Sequence, residues 1–356
     1  MEAMIARDAI LGSLLGTAVG DALGLPCEGL TPRRQRLLFG VVDRYRFWFG
    51  RGLVSDDTEH AVITAQALVS SRGEPDAFVR DLGHRLGSWL LALPAGVGRA
   101  TLIACLRLCL GVPPHRSGVR SAGNGPSMRA ALLGVLLGDD PQKLRQFVRA
   151  SSRITHTDPR AEHAALAVAV AAHCAGQGIP VAPLDYFRRL ELLLSGEHAE
   201  EFLEAMRGVI ESVARGETTA AYSERLWHGR GVGGYSLHTV PAALHCCLRH
   251  QDDFRAAVTE IIACGGDSDT TAAIVGGIVG ARVGRAGIPP EWINGLRDWP
   301  ITVSFLESLA AALADSSSSH AAVPLPELPF YQQYLRNVGF TVIVLLHGFR
   351  RLLPPY

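Results

Sequence analysis

Lysine is almost missing from this chain of 356 residues; it occurs once, at Lys143, so nearly all of the 34 basic side chains are arginines. The lone lysine follows Asp139, Asp140, Pro141 and Gln142, a polar setting that keeps an ammonium protonated and argues against Schiff-base chemistry. Net charge of either sign is missing too. Basic and acidic residues balance at 34 each, which removes the electrostatic case for DNA, RNA or an anionic membrane as partner. The 7 cysteines include no CxxC pair and no Cys/His spacing of a zinc site. Cys105 and Cys109 lie one helical turn apart, and Cys246 and Cys247 are adjacent. Reduced thiols in a cytoplasmic protein are therefore expected. The N-terminus carries Glu2 and Asp8 and no basic stretch before an apolar core, so no signal peptide is expected. The late apolar run at 340–346 is too short to cross a bilayer.

What the chain does have is apolar residues in helical spacing. Hydrophobic residues make up 48% of it, enough for a substantial core in one large domain or two. The helical pattern covers 76–92, 99–110, 127–137, 141–151, 160–175, 185–194, 198–214, 239–249 and 252–263. Gly/Pro loops fall at 93–98, 111–126 and 229–238, and strand-like alternation is scarce; the fold class expected is all-α. Gly12, Gly16, Gly20 and Gly24 recur every fourth residue, as do Gly276, Gly280 and Gly284. A glycine inside a helix costs ~1 kcal/mol, so the two stripes predict two helices in close core contact that offsets the cost. Segment 31–51 mixes six arginines with Tyr45, Phe47, Trp48 and Phe49. Such a mixture can bind nucleic acid, but with balanced charge it reads as a surface loop over a site. The serine tract from Ser316 and the proline-rich residues up to 329 predict a flexible linker at 316–329. It divides a main domain, 1–315, from a final helix at 330–356 that packs on or caps the domain.

Two stretches carry the chemistry. Ser55-Asp56-Asp57-Thr58 opens one apolar helical stretch, and Cys264-Gly265-Gly266-Asp267-Ser268-Asp269-Thr270 opens another. Oxygen donors at a helix start have an ordinary use, since they cap free N–H groups and acids suit the dipole there. They are also the ligands that Mg²⁺, Mn²⁺ and Ca²⁺ prefer. One such mouth reads as capping. Two facing mouths would bring four carboxylates together, a self-repelling cluster with raised pKa values. Two divalent ions ~4 Å apart, sharing bridging carboxylates, resolve that conflict. The candidate ligands are Ser55, Asp56, Asp57, Asp267, Asp269 and Thr270.

Other constellations are weaker singly. The small-residue loop Ser121-Ala122-Gly123-Asn124-Gly125-Pro126 feeds a helix and suits a diphosphate, although an Asn-Gly turn has the same look. His156, in Thr155-His156-Thr157-Asp158-Pro159, could donate to a phosphate or ribose oxygen or simply sit in the core. His60 lies four residues beyond Asp56, a spacing that permits shared ligation or a place in the core. Tyr235 follows Gly233-Gly234 and could stack on a base or pack in place. Glu28, on the bend after Gly24-Leu25-Pro26-Cys27, is a mobile carboxylate or a solvated loop acid.

Taken in order, these pieces resemble the ADP-ribosylglycohydrolase family. The matching stretches are Leu15-Gly16-Thr17-Ala18-Val19-Gly20-Asp21-Ala22-Leu23-Gly24 with Glu28, the Ser55 to Thr58 motif, Gly123-Asn124-Gly125, Thr155-His156, Gly233-Gly234-Tyr235 and Gly265 to Thr270, spanning about residues 8–285. Each is weak; the ordered set is specific. The resemblance implies a compact orthogonal all-α domain with two Mg²⁺ or Mn²⁺ ions in a central dinuclear site. It implies metal roles for Ser55, Asp56, Asp57, Asp267, Asp269 and Thr270, with Glu28, Asp56, Asp57 and Asp269 in catalysis. Ser121, Gly123, Asn124, Gly125 and His156 match diphosphate contacts, and Tyr235 matches a residue near the adenosine half. The implied reaction releases ADP-ribose from a modified protein side chain, with arginine the expected acceptor. The implied partners are an ADP-ribosylated protein and ADP-ribose, with no nucleic acid and no membrane. Two departures stand out: an aspartate that some relatives use falls near Gly96, and Ala122 is small where some carry an aromatic.

Two rival readings exist. Class I prenyl-diphosphate chemistry is also all-α with facing acidic clusters, but wants an acid where His60 stands, and Asp267-Ser268-Asp269-Thr270 does not resemble its second cluster. A non-catalytic ADP-ribose-binding relative would keep the fold without turnover, which the missing acid near Gly96 allows.

Overall fold

The centre of the molecule is an antiparallel pair of helices, Glu2–Gly24 and Ser268–Gly287, in a computed structural model that describes residues 2–318 and 323–354. The two glycine stripes interlock. A Cβ added to Gly12, Gly16, Gly20 or Gly24 would lie 2.1, 2.1, 2.0 or 2.3 Å from the carbonyl oxygens of Gly280, Gly276, Ala272 and Ser268. Only hydrogen fits there, so close backbone contact explains why both helices tolerate glycine. The register matters for the site, because it sets the end of the first helix against the start of the second. Ser268 Oγ donates to the Gly24 carbonyl at 2.9 Å.

The Asp56–Ser71 helix packs beside this pair. The alanine-rich Pro159–Gly176 helix closes another side, with 12 of its 18 residues buried. Among the described residues there are eighteen α-helices and three short 3₁₀ turns, and the only extended pairings are isolated bridges. Several of those bridges tie the loops around one end of the central pair: Leu30 and Val232 each pair with Gly266, and Gly123 pairs with Tyr235.

Three parts differ from the sequence expectations. Segment 31–51 is not a loop laid over a site. Thr31 caps a Pro32–Phe39 helix through Oγ1 and Arg34 N, and Tyr45 and Phe47 are buried. Tyr45 Oη donates to the Trp292 carbonyl at 2.7 Å, so those aromatics seat neighbouring elements. Helices at Thr219–Trp227, Pro290–Gly295 and Val303–Ser318 add to the expected set. The tract read as a linker is divided. Residues 316–318 finish the Val303–Ser318 helix, and 319–322 lie outside the described residues. Residues 323–329 run extended along the body, with Val323, Leu325 and Leu328 against the core. Gln66 Nε2 donates to the Pro326 carbonyl at 2.8 Å, and Arg85 pairs with Glu327 at 2.9 Å.

The final helix, Phe330–Arg351, lies on the body. Its anchor is the buried Arg336, which pairs with Glu59 at 2.9 Å and Asp298 at 2.7 Å. Farther along, His347 Nε2 lies 3.0 Å from the Pro26 carbonyl, and Arg351 donates to the carbonyl of Glu28. The helix thus supports both the first acidic motif and the turn that bears Glu28.

Candidate functional site

The two acidic helix mouths meet. Thr270 Oγ1, from the second, donates to Asp57 Oδ2, from the first, at 3.1 Å. Above that contact opens a cleft of about 590 Å³, lined by Glu28, Asp56, Asp267, Asp269 and Thr270 on one side. Ser121, Gly123, Asn124, Gly125 and His156 line it on another. Ser55 and Asp57 lie buried beneath this lining. A cleft of this size suits a small-molecule ligand.

Local structure explains how each mouth forms. At the first, Ser55 Oγ accepts from Asp57 N at 3.2 Å, an N-cap. Asp21, buried on the glycine helix, accepts from Ser55 N at 2.9 Å, Thr58 N at 3.1 Å and Thr58 Oγ1 at 2.5 Å. Burial pushes the Asp21 carboxyl up to about 6, against the pull of these bonds. At the second mouth no side chain caps the helix. Gly265 and Gly266 turn through left-handed backbone, φ +65° and +82°, and a Cβ on Gly266 would meet the Val232 carbonyl oxygen at 2.1 Å. Asp267 is instead held by Asn124, whose Nδ2 donates to Oδ2 at 2.6 Å. Capping therefore accounts for Ser55 and for none of the four aspartates.

The electrostatics are those of a crowded, desolvated acid cluster. Burial, then the charges of Glu59, Asp21, Glu28 and Asp267, raise the Asp56 carboxyl well above its usual range. Burial and Asp56 do the same to Asp57, and burial and Glu28 to Asp269. Glu28 opens into the cleft, yet the surrounding walls and the Asp267 charge raise its carboxyl, with Arg351 opposing. Two buried oxygens, Asp57 Oδ1 and Asp269 Oδ1, have no hydrogen-bond partner among the described residues. Unpartnered buried carboxylate oxygens are costly, and a cation is the partner this donor set fits. Among the described residues no group of three His, Cys, Asp or Glu side chains is gathered into a ready cage, so the expected dinuclear centre is not shown as such.

The remaining predicted residues divide. His156 faces the cleft beside Gly123, its Nδ1 2.9 Å from Thr155 Oγ1. Arg129 donates to that hydroxyl at 2.7 Å, which ties the ring to the buried guanidinium, and Nε2 lies on the Gly123 side. Burial and Arg129 push His156 down to about 3, so the ring is neutral. Tyr235 does not line the cleft; its side chain is taken by Arg160, which donates to Oη at 3.1 Å, and by an edge contact with His238. His60 turns away from the acids to Arg129 Nη1 at 3.0 Å and to the Trp89 ring. Gly96 lies on the cleft rim, φ +79°, with open space where a side chain would stand.

Sequence reasoning missed four contributors. Asp21 and Arg129 organise the first mouth and His156 from inside the core, and Arg99 and Arg230 bring cationic side chains to the cleft wall. Asp21 had a signal, as the one charged residue between Ala9 and Leu25. The arginines had none in a chain with so many.

Comparison with known proteins decides the family. Its sequence pattern, ADP-ribosylglycohydrolase, matches residues 2–322. The chain belongs to the ADP-ribosylglycohydrolase family. It is 34% identical over 308 residues to a protein of Archaeoglobus fulgidus described as uncharacterized, covering 84% of this chain and 94% of that one. It is 27% identical over 302 residues to the ADP-ribosyl-[dinitrogen reductase] glycohydrolase of Rhodospirillum rubrum, covering 82% and 90%. ADP-ribosylhydrolase ARH3 of Mus musculus is 28% identical over 303 residues, covering 74% and 78%. A solved structure titled ADP-ribosylglycohydrolase-related protein complex superposes with a TM-score of 0.68 at 29% identity, covering 88% of this chain and 99% of that one. Membership makes this an all-helical glycohydrolase and sets its class of reaction, hydrolysis of a glycosidic bond to ADP-ribose. The matched region ends at 322, so the Phe330–Arg351 helix lies beyond it.

Proposed function

We propose that the chain hydrolyses the bond between ADP-ribose and a modified protein side chain, with arginine as acceptor, using two Mg²⁺ or Mn²⁺ ions. The observation that carries the reading is the pair of unpartnered buried oxygens, Asp57 Oδ1 and Asp269 Oδ1, within facing acidic mouths at the base of the cleft. Ser55, Asp56 and Asp57 from the first mouth and Asp267, Asp269 and Thr270 from the second would hold the ions. Ions held there supply Lewis-acid polarisation and a lowered pKa for bound water. Asn124 fixes the Asp267 carboxylate by its 2.6 Å bond. The neutral His156 faces the cleft, and the loop of Ser121, Gly123 and Gly125 beside it leaves room for a diphosphate, with Arg99 and Arg230 on the cleft wall. Tyr235 shapes this wall through its backbone pairing with Gly123. Glu28, its carboxyl raised and its side chain open to the cleft, can hold a proton at pH values where an ordinary glutamate cannot. It is the group placed to move a proton to or from water as the glycosidic bond breaks.

A second reading rests on Gly96. The rim position where some relatives carry an acid is empty, which suits a protein that binds ADP-ribose without turnover. One experiment separates the two. Peptides ADP-ribosylated on arginine or on serine are incubated with the chain, with Mg²⁺ and with chelator, and released ADP-ribose is measured. Release from the arginine peptide, abolished by chelation, is expected. Release from the serine peptide alone would correct the acceptor, and tight ADP-ribose binding with no release from either would replace the enzyme by the binding protein.

A further inference from the structure

The Phe330–Arg351 helix presents two opposite faces. One closes on the body through Asn337 and Phe340. The other points to solvent and carries Tyr331, Leu335, Val338, Val342, Leu345 and Phe349, exposed by 62, 59, 46, 53, 56 and 67%. Their spacing alternates between four residues and three, the repeat that keeps a seam on one side of a helix and fits it against another helix. The inward face is mixed, with Arg336, Asn337 and His347 bonded to the body beside Phe340, whereas the open face is apolar along its length. The seam is also neutral. Arg336 is drawn inward to Glu59 and Asp298, and Arg351 to the turn at Glu28, while Arg350 lies off the seam by helical phase.

We propose that this face docks a second copy of the chain, helix against helix, about a twofold axis. A twofold contact sets the same patch against itself, and a patch with no charge meets no like-charge repulsion when it does so. With Tyr334 and Leu346 beside it, the seam exposes roughly 900 Å² of residue surface per copy, and covering about two thirds of that on each side buries roughly 1,200 Å² in all, the lower bound for a specific interface. Gly339 adds room beside the seam, since nothing lies within 4 Å of where its Cβ would be. A lipid surface fits less well. Helices that lie in a membrane surface carry basic residues along the face opposite the apolar one, and here that face is occupied by the protein's own core.

Sedimentation equilibrium of the full chain, over about 1 to about 100 µM because dimers dissociate by mass action, tests the proposal. Wild type is compared with Val342→Glu and, separately, Leu335→Glu. Both positions are exposed and glutamate is a good helix former, so far-UV circular dichroism should be unchanged. The expected result is a wild-type dimer and, for each variant, dissociation at least ~100-fold easier, because a charge on a twofold seam is desolvated in both copies. A wild-type chain that stays monomeric overturns the proposal, as does a dimer that neither substitution weakens. A monomeric chain that floats with anionic phospholipid vesicles, and no longer does so as Val342→Glu, overturns it in favour of a membrane.

Discussion

The two acidic helix mouths present similar donors and are held in place by different means. The Asp56–Ser71 helix has a capping serine, and Asp21 gathers its first amides from below. The Ser268–Gly287 helix has no side-chain cap; two left-handed glycines fold its approach back, and Asn124 holds Asp267 from the side. One mouth uses its hydroxyl for the helix and the other does not. In both, the carboxylates are left free of helix duty, at the cost of burial and mutual repulsion. That shared remainder supports the proposed cation site more firmly than either motif does alone.

The largest effect should come from taking a carboxylate from the uncapped mouth. Asp269→Ala is expected to lower ADP-ribose release by on the order of 10³-fold or more, as loss of a transition-state electrostatic group does. Its melting temperature in chelator should not fall, since a repelling buried charge is gone. Turnover beside a thermal melt checks both halves, and a variant that unfolds would show that the mouth is structural.

The next effect tests what sets the mouths beside each other. Gly20→Leu drives a side chain into the Ala272 carbonyl, where even a Cβ comes to 2.0 Å. Overpacking against backbone should cost about 3 kcal/mol or more, read from denaturant melts. An unchanged midpoint would mean that the helix pair is not closed as described.

Acid held below the first mouth should appear as a pH dependence. Asp21 titrates at about 6 in the fold and near 3.9 when unfolded. The folded state therefore favours the protonated form. Its stabilising contribution is full below pH ~4 and is lost as pH rises toward ~6, at most ~3 kcal/mol. Asp21→Asn should flatten the slope of metal-free stability between those limits, and melts in chelator at stepped pH measure it. A slope unchanged in Asp21→Asn would show that this carboxyl ionises without penalty.

The smallest effect separates the mouths most finely. Ser55→Ala should cost about 1 kcal/mol through the lost cap, whereas Asp267→Ala should cost no cap energy at all. Equal losses in chemical denaturation would erase the distinction between the two.

Much of this arrangement was legible in the sequence because its elements are local. A glycine every fourth residue has one strong packing explanation, and consecutive acids at a helix start announce themselves. The close contact of the two glycine helices follows from the first pattern, and the second points to a meeting of the acidic mouths; the antiparallel direction and the bond from Thr270 to Asp57 come from the structure. What could not be read depends on contacts between distant single residues. Nothing in the local sequence tells Arg336, which pairs with Glu59, from Arg350, which does not. His60 sits at ligand spacing from Asp56, yet Arg129 and Trp89 claim its ring. Tyr235 has the position expected of it along the chain, but Arg160 holds its side chain off the cleft. The aromatics of 31–51 read as a cover because burial by Trp292 and Phe340 comes from about 250 to 300 residues away, beyond any local pattern.

The central claim is that the facing mouths hold two divalent cations. Mn²⁺ titration followed by electron paramagnetic resonance, at pH 7.5 with wild type and Asp269→Ala in parallel, tests it without relying on activity. Two bound ions per wild-type chain are expected, with the loss of at least one in Asp269→Ala. Wild type that binds no Mn²⁺, or a variant that binds as much as wild type, would contradict it.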